Sequence, residues 1–330
     1  MRRIVFIAFG AILLLGFASA SYQAIATALD ARRFREPGRA VDAGGFRLKL
    51  HCTGQGRPAV ILEAGLGDGI GEWRRVQPQL ASFTRVCSYD RAGYGGSDAG
   101  PMPRTSLRIA GELDALLRAS GETPPYLLVG HSFGGFNVRV FDGRYPKEVA
   151  AMLLIDSVQE DQYELLPKAW QAVGAAMLER YQRQAHWSPL SIDLGIPRAL
   201  LLLQGIRPAP FVLQSKYLKA RASELAGIRV SAEQARAAGT LGDQPLIVLT
   251  AGRTSDASLS GLSAVDAEAF ERTWIDDLQM RLARLSSRGE RILVPDSGHD
   301  IPAERPDAVV NAVRRLWDRV PVGPRGRGPG

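Results

Sequence analysis

One short segment constrains the fold of this chain more than any other, because an apolar run ends abruptly in the pattern G-x-S-x-G. Residues 126–129 have the composition of a buried strand, and residues 133–145 can form a helix that ends before a proline. A sharp turn between the two would lift the hydroxyl of Ser132 out of the sheet. Gly130 and Gly134 are needed because a Cβ at either position would clash within the crowded turn. The segment therefore predicts a nucleophilic serine.

Short apolar runs recur along the chain, and helical patterns separate most of them. The first two runs flank Gly44-Gly45, which predicts a hairpin. In order, the runs span residues 40–42, 46–52, 59–63, 85–89, 126–129, 151–155, 246–250 and 291–294. Most of them are apolar throughout, as expected of strands buried on both faces. The pattern predicts an α/β fold, with a doubly wound, mostly parallel sheet of eight strands and the site at the carboxyl ends of the strands.

One interval, residues 157–244, breaks this alternation, since it is rich in helix-forming residues and contains no convincing strand. We interpret it as a helical cap inserted into a core formed by residues 39–156 and 245–320. Its apolar stretch at residues 199–203 could face a substrate or simply pack on the core. Residues 321–330 form a tail of Gly, Pro and Arg that we predict to be disordered.

The first 38 residues have the pattern of an export signal. Arg2-Arg3 precede an uncharged stretch that reaches Phe17, and Ala18-Ser19-Ala20 then suit a cleavage site. The absence of charge continues to Leu29, however, which is long enough for about 20 residues of helix to cross a bilayer. We therefore predict either a cleaved signal peptide or a membrane anchor, with residues 21–38 as a polar connection. Both alternatives give a membrane-anchored or secreted protein whose remaining chain lies outside the cytoplasm, provided that the Arg2-Arg3 end stays inside; Arg32, Arg33 and Arg35, after the segment, oppose that orientation.

Composition excludes some classes of function. The net charge of +7 in 330 residues comes from arginines interleaved with acidic residues. The sequence has no cluster of basic residues interleaved with aromatic ones, so we predict no nucleic-acid partner. The four histidines and two cysteines form no ligand pattern, so we predict no metal and no cofactor. Cys52 and Cys87 are expected to be structural, as a disulfide or as two buried thiols.

Three positions, in the order Ser132, Asp256 and His299, resemble the α/β-hydrolase superfamily with a serine nucleophile. Ser132 lies in G-H-S-F-G, Asp256 follows the strand at residues 246–250, and His299 lies in S-G-H-D-I-P after the last strand. Further matches are Y-D-R-A-G-Y-G-G-S at residues 89–97 and L-E-A-G-L-G at residues 62–67. The resemblance covers about residues 40–318 apart from the cap, which varies among members of the family.

The resemblance implies a catalytic triad. A serine hydroxyl is a weak nucleophile and needs a base within hydrogen-bonding distance, for which His299 is the candidate. The imidazole in turn needs a buried carboxylate on its other nitrogen, and Asp256 fits best. Asp156, at the end of the preceding strand, is the alternative because some members of the family place the acid there.

Two backbone N–H groups should bind the negative oxygen of the tetrahedral intermediate. Phe133, the residue after the nucleophile, is expected to supply one and Leu66 the other. Gly65 is the alternative to Leu66, since Glu63-Ala64 stand where many relatives carry His-Gly.

The same resemblance places Cys52 and Cys87 near one edge of two antiparallel neighbouring strands, which makes a disulfide between them an expectation. Ser132 also argues against haloalkane dehalogenases and epoxide hydrolases, whose nucleophile is aspartate. The implied function is hydrolysis of a small-molecule substrate of ester type (a carboxylic ester, a lactone or a lipidic ester) through an acyl-enzyme. Other possibilities are an aminopeptidase or amidase, a carbon–carbon hydrolase, and a non-catalytic membrane-tethered binding protein.

Overall fold

The computed structural model describes residues 2–33, 37–186, 189–205, 214–254 and 261–320. Its centre is a sheet of eight strands in the order β1-β2-β4-β3-β5-β6-β7-β8. Strand β2 is antiparallel to β1 and to β4, and all other neighbours are parallel. The strands are β1 (Arg39–Asp42), β2 (Arg47–Thr53), β3 (Ala59–Glu63), β4 (Val86–Asp90), β5 (Tyr126–His131), β6 (Val149–Ile155), β7 (Leu246–Ala251) and β8 (Gly289–Val294). All eight predicted strands and the predicted fold class are confirmed.

Helices cover both faces of the sheet. The described helices are α1 (Arg2–Arg33), α2 (Gln77–Leu80), α3 (Ser106–Ser120), α4 (Gly134–Arg144), α5 (Gln162–Leu165), α6 (Lys168–His186), α7 (Pro189–Asp193), α8 (Ile196–Leu203), α9 (Ser215–Ala226), α10 (Ile228–Ala238), α11 (Ala264–Arg272), α12 (Gln279–Ala283), α13 (Ile301–Glu304) and α14 (Pro306–Arg319). A π-helical turn, Thr273–Leu278, joins α11 to α12, and the 3-10 turns are Ile70–Arg75 and Pro146–Glu148. Helices α3 and α4 contribute to the hydrophobic cluster on one face, and α2 and α14 contribute to the cluster on the other.

The spacing of apolar residues explains how the outer helices attach to the sheet. In α3, Ile109, Leu113 and Leu116 recur on one side of the helix and are at most 1% exposed. In α14, Val309 and Val313 have the same spacing and are fully buried. Each such side chain contributes about 1.5–3 kcal/mol when it leaves water, so these two faces hold the helices against the sheet.

The described residues between β6 and β7 form the helices α5 to α10. The apolar stretch at residues 199–203 belongs to α8, where Leu200, Leu202 and Leu203 are exposed and are not part of the cavity described below. Residues 199–203 therefore do not face the site, and the apolar cap residues that do lie mainly on α6.

The N-terminal segment differs from the prediction. Helix α1 continues to Arg33, through most of residues 21–38, which were expected to form a polar connection. The first proline after the apolar stretch is Pro37, and no glycine lies between Phe17 and Pro37, so nothing in this sequence stops a helix earlier. By length and composition, the part of α1 at Phe9–Asp30 could cross a membrane.

Cys52 and Cys87 form a disulfide that joins β2 to β4, where the two residues lie directly opposite each other. The disulfide that the resemblance implied is therefore confirmed. Glu122 lies close to both sulfurs, but a disulfide leaves no thiolate to bind a metal.

Candidate active site

The turn after β5 holds Ser132 in a conformation that few non-glycine residues adopt, with φ at +51°. Its backbone N–H donates to the carbonyl of Ile155 at 3.0 Å, which ties the turn to the neighbouring strand β6. A Cβ on Gly130 would lie 2.7 Å from the carbonyl oxygen of Gly134, and one on Gly134 would lie 2.4 Å from the carbonyl oxygen of Glu63. The predicted need for both glycines is confirmed, because each position has backbone atoms where a side chain would begin.

The structure brings Ser132 and His299 together across 167 residues of sequence. The Nε2 atom of His299 lies 3.0 Å from the Oγ atom of Ser132. On the other side of the ring, Nδ1 of His299 lies 2.6 Å from Oδ2 of Asp156. The order of contacts is hydroxyl, imidazole and carboxylate, which is the arrangement that activates a serine.

Asp156 is held rigidly at the end of β6. It is 2% exposed and, like the serine, has a positive φ, at +39°. Its Oδ1 atom accepts two hydrogen bonds, from the backbone N–H of Ala251 and from Nε1 of Trp274, each at 3.1 Å. Its Oδ2 atom is thereby left to face His299. The carboxylate consequently has a fixed orientation as well as a fixed position.

Asp256, the acid preferred from the sequence, lies outside the described residues. Asp156, the alternative, lies at the imidazole nitrogen of His299. The sequence did contain a signal for this position, because Asp156 directly follows an apolar strand next to the nucleophile strand. Trp274, which orients that carboxylate, was missed because a tryptophan within an amphipathic helix gives no catalytic signal.

The two predicted oxyanion donors border the same cavity as the serine. Leu66 follows β3, Phe133 follows the serine, and both line the cavity with Ser132 and His299. The backbone N–H of Gly65, the alternative to Leu66, donates to Oε2 of Glu72 at 2.9 Å and is therefore occupied. Within the described residues, no hydrogen bond engages the N–H of Leu66 or of Phe133.

A second histidine, His131, supports the loop that carries His299. Its Nδ1 atom lies 2.8 Å from Oε1 of Glu72, and its Nε2 atom lies 2.9 Å from the backbone carbonyl oxygen of His299. Burial, the largest single influence, lowers the pKa of His131, but Glu72 and the His299 carbonyl outweigh it and raise that pKa to about 9. His131 is therefore protonated at neutral pH and donates to the backbone of the candidate base.

The site opens into a cavity of about 620 Å³ between the sheet and the cap. Apolar side chains of α6, among them Trp170, Val173 and Met177, form its cap side. On the core side, the rings of Phe270 and Trp274 are stacked with their centroids 5.8 Å apart, and Trp170 lies a further 5.8 Å from Phe270. A row of aromatic rings thus leads away from Asp156 along the cavity wall.

The profile of the alpha/beta hydrolase fold family matches residues 58–189, which contain the candidate nucleophile. The eight-stranded sheet agrees with that fold. The chain therefore has the fold of the α/β-hydrolase superfamily. Members of this superfamily are generally hydrolytic enzymes, and those that this chain matches include an esterase and a putative epoxide hydrolase.

Two curated relatives extend this similarity over most of the chain. An "AB hydrolase superfamily protein" of Gibberella zeae is 28% identical over 281 residues, which are 79% of this chain and 86% of the relative. A "probable transporter efuK" of Hormonema carpetanum is 25% identical over 311 residues, but the chain spans only 42% of that protein's length. The similarity to the second protein is therefore confined to less than half of it.

Among solved structures, a thermophilic esterase from Thermogutta terrifontis superimposes with a TM-score of 0.60 at 21% identity. The match covers 86% of this chain and 99% of the esterase. At this level of identity the likeness establishes the fold and not the reaction.

Proposed function

We propose that this α/β hydrolase cleaves an ester bond in an apolar small molecule, with Ser132 as nucleophile, His299 as general base and Asp156 as the acid that orients it. The observation that carries the proposal is the chain of two short contacts, 3.0 Å from Ser132 to His299 and 2.6 Å from His299 to Asp156, at the floor of a cavity. Serine is nucleophilic only with such support.

In the proposed reaction, Oγ of Ser132 attacks the carbonyl carbon of the ester while Nε2 of His299 takes the hydroxyl proton. The resulting imidazolium is stabilised by Asp156 and passes its proton to the departing alkoxide. Water, activated by the same imidazole, then hydrolyses the acyl-enzyme. The negative oxygen formed in each step would bind the N–H groups of Leu66 and Phe133, which are not used by described partners.

The cavity supports an apolar substrate. A volume of about 620 Å³ holds a molecule of the size that ligand pockets commonly enclose. Apolar and aromatic side chains supply its cap side and the row of rings from Trp274 to Trp170. The burial of such a substrate is favourable because each CH₂ group that leaves water contributes about 0.8 kcal/mol.

Helix α1 supports a location at the membrane. We propose that it stays attached as an anchor, because its C-terminal half is bound to the cap: Arg198 forms an ion pair with Asp30 at 2.8 Å and a hydrogen bond to Gln23 at 2.8 Å. The mass of the mature protein tests this proposal, since removal of residues 1–20 would show that the segment is a signal peptide.

Two experiments test the proposed chemistry. A fluorophosphonate probe should label the wild type but not Ser132→Ala, since the probe reacts only with an activated serine. Hydrolysis of p-nitrophenyl esters should become more efficient from acetate to octanoate, because longer acyl chains bury more apolar surface in the cavity.

Each alternative function gives a different result in these assays. A folded wild type that is not labelled would favour a non-catalytic binding protein. If the probe labels the enzyme and the enzyme cleaves aminoacyl amides or carbon–carbon bonds but no esters, the proposed triad would stand and the proposed substrate class would be wrong. A preference for acetate over octanoate would contradict the apolar substrate alone.

A further inference from the structure

Arg91, directly after β4, is a buried arginine with every donor occupied. Its side chain is 1% exposed, and each of its five N–H groups donates one hydrogen bond. Two bonds go to Glu224 in the cap, at 2.9 Å from Nε and 3.0 Å from Nη2, and one goes to Glu63 at 3.0 Å. The last two go to backbone carbonyls, those of Ala64 at 2.7 Å and Gly65 at 2.6 Å. Arg91 therefore ties the cap to the loop after β3.

The two backbone contacts determine which way the candidate oxyanion loop faces. In a trans peptide, the carbonyl and the N–H of the next residue point in opposite directions. The Gly65 carbonyl points at Arg91, so the N–H of Leu66, in the same peptide plane, points away from Arg91. Gly65 itself lies against the nucleophile, because a Cβ on it would be 3.4 Å from Cβ of Ser132.

Other contacts keep this peptide from flipping. The Gly65 carbonyl also accepts from the backbone N–H of Asp68 at 3.3 Å, and the preceding peptide is held as well, since the Gly65 N–H donates to Glu72 at 2.9 Å. Glu63 is held in turn by Asn137, whose Nδ2 donates at 2.8 Å, and by the hydroxyl of Tyr89. A flipped peptide would leave a buried guanidinium N–H facing another N–H, which is strongly unfavourable.

We propose that Arg91 is the positioning residue of the oxyanion hole, and that its pairing with Glu224 makes the orientation of the Leu66 N–H depend on the docked cap. This inference rests on the proposed serine hydrolase function and adds to it. Glu224 lies in α9 and also accepts a hydrogen bond from the hydroxyl of Tyr94 at 2.7 Å, so the carboxylate that pairs with Arg91 is itself held in place. Displacement of α9 would remove two of the five bonds of Arg91 and weaken its hold on the loop.

Arg91→Lys tests the proposal, because lysine keeps the charge but has three donors instead of five. We expect kcat on p-nitrophenyl butyrate to fall roughly 10- to 100-fold with KM changed by less than about threefold, since the removal of an oxyanion donor acts on the transition state. Phenylboronic acid, which forms a tetrahedral adduct with the serine, should lose affinity by the same factor as kcat/KM. If Arg91 had only a structural role, the loss of boronate affinity would not match the loss of kcat/KM.

Arg104→Lys is the matched control. Arg104 is also fully buried and pairs with Glu112 through two bonds of 2.6 and 2.7 Å, but it makes no hydrogen bond to the loop at residues 64–66. We expect this variant to lose stability without a comparable loss of kcat. Equal losses of kcat in the two lysine variants, or unchanged boronate affinity in Arg91→Lys, would overturn the proposal.

Glu224→Gln tests the ion pair between Arg91 and the cap, and it serves as the second variant if Arg91→Lys fails to fold. Its amide can accept only one of the two bonds from Arg91, so we expect a smaller loss of kcat, about 3- to 10-fold, again matched by boronate affinity. An unchanged kcat would refute the dependence on the cap. Failure of the proposed function would be seen differently, as a wild type that neither reacts with fluorophosphonate nor binds the boronate.

Discussion

Asp156→Asn should inactivate the enzyme through the tautomer of His299. In the wild type, Oδ1 of Asp156 faces two donors, the N–H of Ala251 and Nε1 of Trp274, while Oδ2 faces Nδ1 of His299. An asparagine must keep its only oxygen at the Oδ1 position, because the reverse orientation would set its NH₂ against two N–H groups. Its NH₂ then faces Nδ1, which must accept, so the ring carries its proton on Nε2. His299 can no longer accept the proton of Ser132.

The expected loss of kcat in Asp156→Asn follows from the loss of the general base while the rest of the site stays in place. An enzyme with the wrong tautomer loses about 10⁴ in kcat, which at about 1.36 kcal/mol per tenfold change is about 5 kcal/mol of transition-state stabilisation. We expect KM to change little, since Asp156 lies behind the imidazole rather than against the substrate. Steady-state hydrolysis of p-nitrophenyl butyrate measures both constants.

Asp256→Asn and Asp300→Asn are the controls, one for the acid preferred from the sequence and one for the residue next to His299. Both should keep kcat within a few-fold of the wild type. If Asp156→Asn retained more than about a tenth of the wild-type kcat while Asp256→Asn lost activity, Asp256 and not Asp156 would be the acid that fixes the tautomer of His299.

Three further predictions concern pH, the disulfide and the nucleophile turn. A folded pKa of about 9 for His131, above its unfolded value of about 6.5, stabilises the protein fully below pH 6.5, and this contribution is lost as the pH rises through 9. The difference in unfolding free energy between wild type and His131→Gln, from urea titrations at pH 6 and pH 10, should therefore shrink by up to about 3 kcal/mol; a constant difference would contradict the pairing with Glu72. Replacing Cys52 and Cys87 by alanine, which opens a loop of 35 residues, should lower the unfolding free energy by about 4 kcal/mol, and equal urea midpoints for the oxidised wild type and the double variant would argue against a stabilising bridge. Gly134→Ala places a Cβ against backbone and should abolish fluorophosphonate labelling, whereas Gly111→Ala, where a Cβ would meet nothing within 4 Å, should label normally.

The strands and the nucleophile turn could be predicted from the sequence because their determinants are local. A strand buried on both faces must be apolar at every position, and residues 126–129 are followed by Gly130 and, past the serine, by Gly134, which leave room for the turn. His299 could be selected for a similar reason, since it alone among the histidines follows the last strand. Helix α1 was predicted too short, because residues 21–33 were interpreted as a polar connection although no proline or glycine there would end the helix.

The carboxylate beside His299 and the contacts that hold the loop at residues 64–66 could be seen only in the tertiary structure. Residues 156 and 256 both follow parallel strands that are neighbours in the sheet, so the sequence pattern treats them alike; the structure shows Asp156 2.6 Å from Nδ1 of His299, and Asp256 lies outside the described residues. Arg91 depends on even more distant partners, since Glu224 is 133 residues away. The sequence specifies which residues each strand buries, because burial follows from the type of each residue and the spacing of apolar residues along the chain. Which side chains meet above the sheet depends instead on how segments far apart in the chain pack together.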